Sequence, residues 1–249
     1  MSHESGAKDN APVRQKSPWR ATDALVAYLG LVIVPVAIAI WVYFLGRAGI
    51  ISDSLGRLFI RDDPFASLMQ YLLALVVELA IILGIMCWRK LKPTDLGLTS
   101  FRWHWVFIVI GLYILQITLV IVAFAIIEVI SPSVNLDQKQ EILSFGQAHW
   151  AVVASFVAAV AIAPVVEEII FRGIIFKALQ SSFPTWFAVI VSAAGFGWLH
   201  GQINVGIYTF LLGLLLTWLY MRSRSLYPGI ILHVLNNAVA FWFILQLPS

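Results

Sequence analysis

The 249-residue chain is 61% hydrophobic and 12% charged, with a mean hydropathy of +0.90, where a soluble domain carries roughly 25% charged residues. This excludes a water-soluble globule and describes an all-α, polytopic integral membrane protein in contact with membrane lipids. A net charge of +3 and no basic cluster interleaved with aromatics exclude a nucleic-acid partner, and the one cysteine, Cys87, permits no internal disulfide.

In chain order, residues 1–20 are polar and carry Lys8, Arg14, Lys16 and Arg20. They lack the apolar core and small-residue cleavage site of a signal peptide and read as a disordered basic tail. Apolar runs follow at Ala24–Phe44, Ser67–Trp88 and Trp103–Ile130, each close to or above the ~20 residues that cross ~30 Å of hydrocarbon. Polar loops at Gly46–Pro64 and Ser131–His149 separate them. A fourth run starts near Trp150 and reaches a polar continuation, Arg172 to Ser182, expected to emerge from the membrane. Pro184 restarts the chain as Thr185–His200, and Val205–Met221 and Pro228–Leu247 complete a bundle of seven to eight membrane helices.

Residues 21–147 read as accessory helices and 148–249 as a separate transmembrane part. About twelve of the 16 Lys and Arg fall in loops on the amino-terminal side, which places that terminus in the cytoplasm; a bacterial-type plasma membrane is the expected location.

Glu167, Glu168 and Arg172 interrupt the fourth run. Ionisable groups at bilayer depth cost roughly 2.5–3.5 kcal/mol each on insertion scales, so they call for a role. Glu168 and Arg172 are i and i+4 and can pair along one helix face, with Glu first, the favoured order. Glu167 diverges by about 100° and is left without an in-helix partner. His200 and Glu167 both lie roughly 25 Å from the turn near Phe183 at 1.5 Å per residue, so an antiparallel hairpin sets them at matched depth. Phe196, one turn before His200, walls that face. A carboxylate beside a histidine suits a base that takes a proton from water. His233 and Asn237, again i and i+4, offer two donors to a tetrahedral oxyanion.

Glu167-Glu168-x-x-x-Arg172, Phe196-x-x-x-His200 and His233-x-x-x-Asn237, in this order on successive helices, resemble the three motifs of the CPBP family. These are the type II CAAX prenyl proteases and Abi-like membrane proteins. The resemblance covers roughly the last hundred residues. It implies an intramembrane endopeptidase opening towards the cytosol, acting on a peptide or lipidated protein such as a CAAX-type tail or a peptide leader. In that scheme Glu167 and His200 activate water, His233 and Asn237 hold the oxyanion, and Glu168 with Arg172 braces the helix. The mechanism is expected to need no metal. Zinc on Glu167, His200 and His233 is the alternative, but HExxH spacing is absent.

Each feature also has a plainer reading. Glu168–Arg172 alone is a helix-stabilising pair, His200 an interfacial residue, and His233 with Asn237 interhelical glue. Taken together they favour the enzyme over a non-catalytic binding or immunity protein that uses the same pocket. A proton-coupled transporter using Glu78 and Glu167 ranks last, because no internal repeat is visible. Glu78, in the middle of LVVELAII, has no partner legible in the sequence. Substrate identity and oligomeric state are open.

Overall fold

In a computed structural model of the protein, the described residues are 18–49, 64–131 and 149–246. Residues 1–17 of the expected basic tail, and most of the loops expected at 46–64 and 131–149, lie outside them. Helices account for the regular structure: α1 (Ala21–Arg47), α2 (Pro64–Arg89), the one-turn α3 (Pro93–Leu96), α4 (Trp105–Ile130), α5 (His149–Gln180), α6 (Thr185–Trp198), α7 (Ile203–Ser223) and α8 (Tyr227–Gln246). There is no strand among the described residues. In hydrocarbon a helix satisfies every backbone donor within one segment, so apolar sequence folds this way.

Six of these helices are long and apolar enough to cross a bilayer, and α6 is a shorter apolar helix. Its tryptophans near either end, Trp186 and Trp198, are 65% and 80% exposed. On α4 the side chains of Phe107, Ile114 and Ile121 repeat every seven residues and face outward. That is a stripe made for lipid.

The axis of the bundle is α5. Every residue from Ile170 to Phe176 is buried, so this stretch is enclosed on all sides, as a helix apolar all round should be. The expectation that the chain emerges from the membrane at Arg172 is therefore corrected. Arg172 is fully buried, and its charge is met inside the bundle by Glu168. Two stretches of α5, Val157–Ile162 and Ile169–Phe176, are π-helical, a geometry frequent at functional sites.

Packing around α5 fixes the register of its neighbours. Leu75 of α2 clusters with Ala158 and Ala163 of α5, while Ile82 and Ile85 cluster with Val166, Ile170 and Ile174. Helix α2 thus runs parallel to α5, and Glu78 falls opposite the turn that leads into Glu167. Helices α6 and α7 form the most extensive pair. A Cβ on Gly197 would stand 2.6 Å from the Gly206 carbonyl oxygen, so only glycine allows the two backbones to meet there.

One end of the bundle carries a polar rim. Arg89 pairs with Asp23 at 3.3 Å, Lys177 Nζ donates to the Asp95 carbonyl at 2.5 Å, and Leu226 N donates to Gly97 O at 2.9 Å. Ser225 Oγ donates to Thr99 O at 2.6 Å. Gly97, at φ +99°, ends α3 against Tyr220, a conformation that favours glycine. These contacts tie the start of α1, the ends of α2, α5 and α7, and the start of α8 together. They hold α5 and α8, which bear the first and third motifs, at a fixed depth.

Candidate active site

Glu168 is the buried member of the carboxylate pair. Its Oε1 accepts Arg172 Nη1 at 2.6 Å, and neither side chain is exposed. Arg172 Nη2 donates to the Gly213 carbonyl at 3.2 Å, and the guanidinium lies 4.7 Å over the Phe196 ring. Charge, hydrogen bond and aromatic face together make a buried cation tolerable. Glycines give the pair its room: a Cβ on Gly229 would stand 3.0 Å from Glu168 Oε2, and one on Gly213 would stand 3.3 Å from Arg172 Nη2.

Glu167 differs from its neighbour. Its side chain is 25% exposed, and Oε2 lies 3.5 Å from His233 Nε2. His233 is itself buried and turns Nδ1 to Glu168 Oε1 at 3.3 Å. One imidazole therefore stands between the two carboxylates. It can donate to both at once only with both ring nitrogens protonated. Across α2, Tyr71 and Glu78 lie within electrostatic reach of Glu167, and Glu78 Oε2 is buried with no hydrogen-bond partner among the described residues.

His200 follows the end of α6, and its Nδ1 is 2.9 Å from the Phe196 carbonyl. A carbonyl only accepts, so Nδ1 carries a proton and donates it to that carbonyl. Phe196 joins the elements. Its ring meets His200 edge-on at 5.1 Å, His233 at 5.6 Å and Phe171 at 4.9 Å. It does more than wall one face, because both histidines are aligned on it.

Asn237 sits one turn beyond His233 on α8. Its Nδ2 donates to the Ala159 carbonyl at 3.0 Å. That carbonyl is available for a local reason. In the first π-helical stretch Ala163 N bonds to Ala158 O, so the matching donor for Ala159 O would be residue 164, which is proline and has no N–H. Asn237 Oδ1 accepts from Asn236 Nδ2 at 3.0 Å, and Asn236 Oδ1 accepts from Gln116 Nε2 at 3.2 Å and from the Tyr208 hydroxyl. Gln116, Tyr208 and Asn236 were not singled out from sequence. The available signal was a glutamine inside the apolar run of α4, costly unless paired.

The structure therefore brings Glu167, Glu168, Arg172 and His233 into one contact group, with Phe196 and His200 stacked against it and Asn237 a turn away on the same helix. Of the ligand set considered for zinc, Glu167 and His233 meet, while the hydrogen bond of His200 is to a backbone carbonyl. No group of three or more His, Cys, Asp or Glu side chains is placed to hold a metal among the described residues.

Comparison with known proteins agrees with the motif reading. Residues 149–239 match the family model described as type II CAAX prenyl endopeptidase Rce1-like, a span that contains all seven motif residues. The chain is also similar to the Bacillus subtilis (strain 168) protein named "Putative membrane peptidase YdiL", at 34% identity over 86 residues. That alignment covers 34% of this chain and 34% of the relative, so the chain spans about a third of the length of the curated relative it matches. No solved structure matches. The resemblance to the CPBP family holds over residues 149–239.

Proposed function

We propose that the protein is an intramembrane endopeptidase that hydrolyses peptide bonds of membrane-associated substrates, with Glu167 as the group that activates water. The observation that carries this is the division between the two adjacent carboxylates. Glu168 is enclosed and neutralised by Arg172, whereas Glu167 is partly exposed and faces a histidine. A structural pair needs one glutamate, and the second is free to react.

The proton flow follows from the side chains. Glu167, assisted by His200 of the second motif, takes a proton from water, and the hydroxide attacks the peptide carbonyl carbon. Once Glu167 holds that proton, the His233 Nε2–H turns from it to the developing oxyanion and joins the Asn237 amide, a contribution worth about 10²–10³-fold per donor. As the C–N bond breaks, the proton held at Glu167 passes to the leaving amine, which restores the carboxylate. Glu168 and Arg172 hold the helix rigid beneath the reacting groups. This scheme uses no metal, and the HExxH spacing of a zinc site is missing from the sequence. The substrates it fits are CAAX-type lipidated tails and peptide leaders, reached from the cytosol with the amino terminus on that side.

The test is cleavage of a quenched-fluorescence peptide panel, prenylated and plain, by purified protein in detergent, beside Glu167→Ala and a strong chelator. Activity kept with chelator and lost in the variant is expected. Loss with chelator would require a metal. Equal inertness of wild type and variant, with partner binding intact, would favour a binding protein over the enzyme.

A further inference from the structure

A run of polar groups extends from the site to α4, and its direction is fixed at one end by the backbone. The Ala159 carbonyl can only accept, so the group facing it is the NH₂ of Asn237. The Asn237 oxygen then faces Asn236 and must receive a donor, which is the Asn236 NH₂. The Asn236 oxygen is thereby turned to Gln116 and Tyr208, both of which supply donors. Each link carries one donor and one acceptor, and reversing any link sets acceptor against acceptor. Asn236 is 4% exposed and Gln116 is fully buried, so water cannot repair a reversed link.

We propose that Asn236 is a positioning residue that, held by Gln116 and Tyr208, fixes the orientation of the Asn237 carboxamide so that a hydrogen-bond donor faces the reacting carbonyl. This rests on the peptidase reading for the identity of that carbonyl. One N–H of Asn237 is used by Ala159 O, leaving the second as the donor. Without the relay only the Ala159 bond would oppose a flip of the carboxamide that presents its oxygen, which would repel an oxyanion. Pro164 belongs to the same device, because it leaves the Ala159 carbonyl open to a side chain.

The test uses two variants of the full-length protein. Asn236→Asp keeps the shape but replaces the donor facing Asn237 by an acceptor. Tyr208→Phe removes one of the two donors to Asn236 and disturbs packing little. On a cleaved peptide, Asn236→Asp is expected to lower kcat about 10²–10³-fold, the loss of one oxyanion donor, with KM within about twofold. The loss in Tyr208→Phe is expected to be smaller and also confined to kcat. Asn236→Asp combined with Asn237→Ala should be no slower than Asn237→Ala alone.

A second readout does not depend on turnover. The chain has five asparagines, so selective ¹⁵N-asparagine labelling in lipid nanodiscs gives side-chain NH₂ signals assignable by single substitution. The Asn237 N–H bonded to Ala159 O should exchange slowly with solvent in wild type, and the Asn237 signals should shift and exchange faster in both variants. Wild-type kcat in Asn236→Asp, or Asn237 signals unmoved in both variants, would overturn the relay. If wild type cleaves no peptide, the peptidase reading falls, and the Asn237 signals alone decide whether the relay exists.

Discussion

Glu167 Oε2 stands 3.5 Å from His233 Nε2, whereas His200 turns its Nδ1 to the Phe196 carbonyl. The two histidines are thus held differently, and their removal should differ in kind. His200→Ala removes the imidazole packed on Phe196 and, if it assists Glu167 as proposed, should lower kcat by about 10²–10⁴-fold, the range for a general base, with little change in thermal midpoint. His233→Ala also deprives buried Glu168 of a partner, which costs about 1–3 kcal/mol, so both rate and midpoint should fall. Thermal unfolding in detergent beside the cleavage assay separates the cases. Equal destabilisation by the two substitutions would contradict the assignment.

Removing Arg172 should be among the most damaging single changes outside the reacting groups. Arg172→Leu leaves Glu168 charged and enclosed, and breaking a buried pair costs about 3–5 kcal/mol. Glu168→Gln together with Arg172→Met removes both charges and should recover most of that loss. Unfolding midpoints of the single and double variants check this, and a double variant as unstable as Arg172→Leu would refute the charge argument.

The contact between α6 and α7 sets another prediction. Gly197→Ala would drive a Cβ to 2.6 Å from the Gly206 carbonyl oxygen, and overpacking of this kind costs about 1–3 kcal/mol. Gly111→Ala on α4 meets nothing within 4 Å and should be neutral or stabilising by up to about 1 kcal/mol. Similar midpoints for the two alanine variants would remove the steric account.

Glu78 presents a buried oxygen without a hydrogen-bond partner among the described residues, on the face of α2 that meets α5. An unsatisfied buried polar group costs about 1–3 kcal/mol. Glu78→Leu should therefore raise the unfolding midpoint. A lowered midpoint would mean that Glu78 supports the fold instead.

Much of the site was legible because its spacings are local. Glu168 and Arg172 pair as i and i+4 on one helix, and the offset of Glu167 from that face follows from helix periodicity. The fate of Arg172 was not legible. A charge after an apolar run reads as an exit from the membrane, and only the packed bundle shows Glu168, Gly213 and Phe196 gathered around it. The partnership of Glu167 with His233 depends on how α8 crosses α5, which no local spacing encodes. Gln116 and Asn236 lie 120 residues apart, and their meeting depends on α4 packing against α8. The π-helical stretches were also hidden, although Pro164 marked the place where the normal hydrogen-bond register fails.

The shortness of α6 has a consequence for the surrounding lipid. At 1.5 Å per residue its 14 residues extend roughly 21 Å, well under the ~30 Å of a hydrocarbon core. Trp186 and Trp198, both exposed, are about 18 Å apart along the helix by the same rise, and tryptophan settles at headgroup level. A bilayer that matched this length would thin beside α6 and bring headgroups and their hydration water toward the depth of His200. The proposed hydrolysis consumes water, and such thinning would supply it. Turnover should accordingly be faster in vesicles of short-chain lipid than of long-chain lipid, and a rate independent of acyl length would show that water arrives by another route.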